Sequence, residues 1–143
     1  MIEFDHVEEI ERPPEEVFEY VTDVANLPRW QSGVQEARVD GEMREGATVR
    51  ERRRLLGREL TTTLEVSEYD PGRRFSLRAQ SGPLPFEVQH SFEPSGQGTR
   101  LVFHGKAKPP GLLRLTQGVL KQMAEREFRS YFKQLKRVLE GGT

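Results

Sequence analysis

The chain changes character at Pro109-Pro110. Before that pair run short alternating segments separated by glycine and proline turns; after it comes one amphipathic helix, from about Gly111 to Glu140. A helix of that length buries its apolar stripe by lying on the apolar face of a sheet. The order of elements therefore predicts an α+β fold with a space between sheet and helix. A small-molecule container is the simplest use of such a space.

The 143 residues suffice for one domain with a substantial core, or a core with a cavity, and one domain over 1–143 is expected. Charged residues make up 31% of the chain and hydrophobic ones 34%, which describes a folded domain with a heavily charged exterior. The net charge of −1 argues against a polyanion-binding protein. With no cysteine there are no disulfides, thiol nucleophiles or thiolate metal sites. No stretch reaches the roughly 18 apolar residues of a membrane span, so no stable membrane insertion is expected. The acidic, alternating start MIEFDHVEEIER is unlike a signal peptide, and a cytoplasmic location is expected.

Ile2, Phe4, His6, Glu8 and Ile10 share one parity of a first strand. Pro13 and Pro14 end it and open a helix, where a missing N–H costs nothing. Glu15 and Glu16 suit the positive end of that helix, and Val17, Phe18, Tyr20 and Val21 give it an apolar side. A second short helix is expected over Val24 to Trp30. Strands follow at about 34–40, 47–56, 59–68, 73–81, 86–93 and 99–107, divided by Gly41, Gly57-Arg58, Asp70-Pro71-Gly72, Gly82-Pro83 and Ser95-Gly96-Gln97-Gly98.

Consecutive antiparallel pairing brings apolar residues together on one face. Val49 is set opposite Val66, Leu55 opposite Leu60, Val66 opposite Phe75, Phe75 opposite Phe92, and Phe92 opposite Leu101. On the other face Arg50 then meets Glu65, Glu93 meets Arg74 and Arg100, and Glu87 meets Lys106. Such cross-strand pairs are worth about 0.2–1 kcal/mol each. On the last helix Leu113, Leu120, Ala124, Phe128, Tyr131, Leu135 and Val138 form a stripe that includes Gln117, and Leu112, Leu115, Val119 and Met123 widen it.

The segments RPPEEVFEYVTDVANLPRW, GRELTTTLEVSEYDPGRRFSLR and FEPSGQGTRLVFHGKAKPPGLL resemble the START-like superfamily, which includes polyketide cyclases/dehydrases, lipid-transfer proteins and relatives of plant pollen allergens. The likeness runs from the first strand to the terminal helix. It implies a helix-grip fold, in which a seven-stranded antiparallel sheet wraps around the long C-terminal helix and two short helices after the first strand close one side. It also implies an apolar ligand between sheet and helix. Binders, carriers, chaperone regulators and enzymes share this fold, so the resemblance leaves activity open.

The pairing turns His6, Glu8, Glu51, Arg53, Thr62 and His90 inward. Leu77 and Phe103 are expected to flank His90 across the sheet, with Phe86, Val88 and Phe92 on its own strand. Buried polar groups need partners, and Glu51 with Arg53 can supply part of such a network. His90 can hydrogen-bond a ligand, act as an acid/base, or be a core histidine satisfied by a neighbour. Trp30 can gate the cavity mouth or anchor the short helices. Tyr131 and Gln117 offer polar groups from the helix, beside Leu120.

His104 is assigned to the outer face. Three scattered histidines make no metal site, and no cofactor is expected. The basic run Arg50, Arg52, Arg53, Arg54 and Arg58 lacks the interleaved aromatics of a single-strand platform and reads as a solvated sheet face, so no nucleic acid is expected.

Three function classes follow. The first is a non-enzymatic binder or carrier of a small hydrophobic molecule (lipid, polyketide, isoprenoid or aromatic compound), contacted by His90, Phe92, Phe103, Leu77, Val88, Trp30, Arg53, Thr62, Gln117, Leu120 and Tyr131. The second is a cyclase/dehydrase using His90 with Glu51. The third is a protein-interaction module exposing Leu112 and Leu115. Oligomeric state is left open, a homodimer included.

Overall fold

The computed structural model describes residues 1–55, 57–81, 85–108 and 117–141. The elements are β1 (Ile2–Ile10), α1 (Pro14–Thr22), a 3-10 turn (Val24–Asn26), α2 (Leu27–Trp30), β2 (Val34–Asp40), β3 (Thr48–Leu55), β4 (Arg58–Asp70), β5 (Arg74–Ser81), β6 (Phe86–Ser95), β7 (Gly98–Ala107) and α3 (Gln117–Leu139). All seven strands join one antiparallel sheet in the order β1-β7-β6-β5-β4-β3-β2. Consecutive strands pair as hairpins, and β1 closes onto β7. This is an α+β helix-grip fold.

Local chemistry explains the start of the chain. Pro14 sits in the first turn of α1, followed by Glu15 and Glu16, and Val17, Phe18 and Val21 are buried. The Thr22 hydroxyl donates back to the Phe18 carbonyl at 2.8 Å, and Asp23 accepts from the Ala25 N–H at 3.3 Å to begin the 3-10 turn. The expected second helix is therefore a 3-10 turn plus the single turn of α2. α1 packs on β6 and β7, and α2 on β2 and α3.

The inward faces are as the alternation predicts, but three hairpins are closed two residues further along. Val49 pairs with Leu64 rather than Val66, and Leu55 with Arg58 rather than Leu60. Val66 meets Leu77 rather than Phe75, and Phe75 meets His90 rather than Phe92. One cause is turn length. Leu55 and Arg58 leave only two residues between them, with Gly57 at φ 77°, a left-handed conformation that glycine adopts without strain. Irregularities in β4 between Thr63 and Leu64 and between Val66 and Glu68 shift the pairing again. A slip of two residues leaves side chains on their own faces, so the inward set survives up to the irregularity at Val66/Glu68, beyond which Tyr69 lies opposite Phe75.

The charge pairs change with the register. Arg50 lies opposite Thr63, not Glu65, and binds Asp40 at 2.8 Å. Arg74 lies opposite Ser91, not Glu93. Glu65 is taken instead by Arg78 at 2.8 Å. Phe92 with Leu101, Glu93 with Arg100, and Glu87 with Lys106 pair as expected. Arg100 nevertheless turns its Nε to Glu9, 2.7 Å away on β1.

α3 lies against β1 and α2. Tyr131, Phe132, Leu135 and Leu139 are its buried residues, spaced three and four apart. Phe132 and Leu139 thus belong to the core, and Val138 is only half-buried. The N-terminal positions Gly111, Leu112, Leu113 and Leu115, and the Gly82-Pro83 turn, lie outside the described residues. Among the described residues no helix is long and apolar enough to cross a membrane.

Candidate functional site

Between the inward face of the sheet and α3 lies a cavity of about 440 Å³. From the sheet come Phe4 on β1, Leu60 and Leu64 on β4, and Phe75 and Leu77 on β5. Phe86, Val88 and His90 on β6 and Phe103 on β7 continue the wall. Leu120, Met123, Ala124, Glu127 and Phe128 of α3 form the roof, and Val21, Val24, Leu27 and Trp30 close one end. Arg58, Lys106 and Met123 line it and are exposed, marking where the wall meets solvent.

Aromatic rings pack against one another along the wall. Phe103 has ring centroids 5.1 Å from Phe128, 4.9 Å from Phe132, 5.7 Å from Phe4 and 5.2 Å from His90. Tilted and edge contacts of this kind add to the burial of each ring.

His90 is buried in this cluster, and its Nδ1 lies 3.0 Å from the Phe75 carbonyl oxygen. A carbonyl only accepts, so Nδ1 carries the proton and Nε2 is left as a lone-pair acceptor. Burial pushes the imidazole pKa down to about 4, against the opposing effect of the Phe75 hydrogen bond. The ring is therefore neutral at physiological pH. Its flanking partners are Phe75 and Phe103; Leu77 pairs with Val88 instead, one step along the sheet.

A polar cluster occupies the end of the cavity near α2. Arg53 donates from Nε to Glu51 Oε1 at 2.8 Å, and from Nη2 to Gln31 Oε1 at 2.8 Å and Glu51 Oε2 at 3.4 Å. Burial works against the Arg53 charge, but Glu51 more than compensates and the guanidinium pKa is raised. On α3, the Tyr131 hydroxyl donates to Glu127, one turn earlier. Burial first, and then this bond, push the Tyr131 pKa well above the usual phenol value. Three buried polar atoms have no hydrogen-bond partner among the described residues: the Trp30 indole Nε1 in the lining and, outside the lining, the Tyr20 hydroxyl and Ser67 Oγ.

The predicted site residues distribute as follows. His90, Phe103, Leu77, Val88, Trp30, Arg53, Glu51 and Leu120 line the cavity. Phe92 packs beneath α1, edge-on to Phe18 at 5.2 Å. Thr62 and Tyr131 are buried but sit behind the lining, and Gln117 begins the described part of α3. His6 stacks on Phe132 at 5.4 Å, with Nε2 held 2.8 Å from Glu8. His104 is on the outer face, 2.6 Å from Asp5 and 3.3 Å from Glu3.

Sequence reasoning passed over Phe4, Phe128, Gln31 and Glu127 as site residues. Phe4 shares parity with His6, and Phe128 lies on the helix stripe, so both carried a signal. Glu127 is three residues after Ala124 and on the same helical face, but its charge disguised it.

A long helix laid over an apolar cavity against a seven-stranded antiparallel sheet is the helix-grip arrangement. The chain belongs to the polyketide cyclase / dehydrase and lipid transport family, whose sequence profile matches residues 1–140. No curated protein matches it. Among solved structures it is similar to a START superfamily protein from Mycobacterium smegmatis (18% identity, TM-score 0.82, 100% of both chains covered). It is also similar to the Zhui aromatase/cyclase from a Streptomyces species (17%, TM-score 0.79, 99% of this chain and 98% of that one). A third is the di-domain ARO/CYC BexL (22%, TM-score 0.78), where 98% of this chain covers 47% of that one. At these identities the likeness is one of fold.

Proposed function

We propose that the protein binds and carries a small hydrophobic molecule, of the lipid, polyketide, isoprenoid or aromatic class, in the cavity between the sheet and α3. The observation that carries this reading is the cavity itself: about 440 Å³, walled by phenylalanine, leucine and valine, with polar groups among the described residues confined to His90, one cluster near α2 and the rim. Each Å² of ligand surface buried there contributes roughly 25 cal/mol before the entropy cost of binding. His90 and the Arg53 cluster orient the ligand's polar group. Residues 1–143 act as one binding unit. The test is native mass spectrometry of protein purified from its source. A retained apolar compound of small mass supports the reading, and a ligand-free protein that takes up no added apolar compound contradicts it.

A cyclase/dehydrase reading draws on one observation, the neutral His90 with Nε2 able to take a proton. Its expected partner Glu51 is engaged by Arg53. Replacing His90→Gln would abolish turnover of a cyclising substrate while leaving most of the binding. Unchanged turnover would exclude His90 as the base. The interaction-module reading rested on Leu112 and Leu115, which lie outside the described residues.

A further inference from the structure

Among the described residues the cavity wall holds one cation that is both deep and paired. Arg53 has a side chain only 17% exposed, and that of Glu51 is 2% exposed. Arg58 and Lys106 also line the space, but their side chains reach solvent, where water and salt screen them. Recognition of a ligand carboxylate would fall to Arg53, whose planar fork matches a carboxylate in two-point contact.

The Nε/Nη2 side of that fork is already occupied. Glu51 takes Nε at 2.8 Å and Nη2 at 3.4 Å, which is the two-point arrangement a ligand carboxylate would adopt, and Gln31 takes Nη2 at 2.8 Å from the other side. Glu127 of α3 adds a second carboxyl group to the same end of the lining. A ligand carboxylate entering here would lose its water, find its cation engaged, and face the Glu51 carboxylate at close range. An uncharged ligand meets none of these costs.

We infer that Glu51 determines ligand charge: by occupying Arg53 it makes the cavity select uncharged apolar molecules and turn away carboxylates. This rests on the cavity-binding reading above. Removing the Glu51 charge would open the Arg53 fork and convert the same cavity into a carboxylate site, because the buried guanidinium would then need an anion.

Equilibrium dialysis with radiolabelled decanol and decanoate at neutral pH tests this. The wild-type protein is expected to bind decanol about tenfold or more tightly than decanoate. Glu51→Gln is expected to raise decanoate affinity by about tenfold, so that the wild-type preference for decanol is lost. A double variant, Glu51→Gln with Arg53→Gln, removes both charges and should show no gain for decanoate. Equal wild-type affinities, or no gain in a folded Glu51→Gln protein, overturn the inference and leave the cavity reading standing. Binding of neither compound by the wild-type protein overturns both. If Glu51→Gln fails to fold, equal wild-type affinities for the two compounds still overturn the inference.

Discussion

His90 donates its Nδ1–H to the carbonyl oxygen of Phe75 at 3.0 Å, across the paired strands β5 and β6. One hydrogen bond between neighbouring strands thus fixes the tautomer of His90, while burial keeps the ring neutral.

The first prediction concerns pH. Burial holds the folded pKa of His90 at about 4, below the ordinary 6.5. Between those values the unfolded chain binds a proton that the native protein does not, so stability falls as pH falls through this window. The loss is about 2 kcal/mol near pH 5 and about 3 kcal/mol once the window is crossed. Urea unfolding at neutral pH and near pH 5 should show this increment in the wild type over and above the loss in His90→Gln, which carries no titrating group at position 90. Parallel losses in the two proteins would refute the assignment.

The aromatic wall gives the second. Phe103 is 1% exposed and contacts the rings of Phe4, His90, Phe128 and Phe132. Truncation to alanine should cost about 3–5 kcal/mol in chemical unfolding. A cost under about 1 kcal/mol would mean that the wall is not packed around this ring.

Gly33 supplies the third. A Cβ there would stand 2.8 Å from the Tyr131 hydroxyl oxygen and 3.0 Å from the Arg54 carbonyl oxygen, so the close approach of this backbone to α3 requires glycine. Gly33→Ala should destabilise by about 1–3 kcal/mol. In the Tyr131→Phe background the nearest of these atoms is gone, and the cost of Gly33→Ala should shrink. A double-mutant cycle measures that coupling, and strict additivity would contradict it.

The sequence carried the inward set of each strand because alternation is local: His90, Val88 and Leu77 face the cavity by parity alone. Parity survived even where the hairpins closed two residues away from the expected pairs. What could not be read was distance across the fold. Gln31 reaches Arg53 because α2 ends where β3 passes, a proximity that no spacing encodes. Phe132 and Glu127 were hidden differently. One was overlooked beside Tyr131, and the other was disguised by its charge on a stripe judged by hydrophobicity. The turn lengths that set register depended on Gly57 and on irregularities in β4, which alternation does not signal.

The most direct test of the cavity uses Trp30, the single tryptophan of the chain, buried in its wall. Titration with decanol should change Trp30 fluorescence saturably with one equivalent bound. Ala124→Phe, which places a ring in the cavity from α3, should abolish the change while the protein stays folded. A fluorescence change that never saturates, or one that persists in Ala124→Phe, would contradict the claim that this space is the binding site.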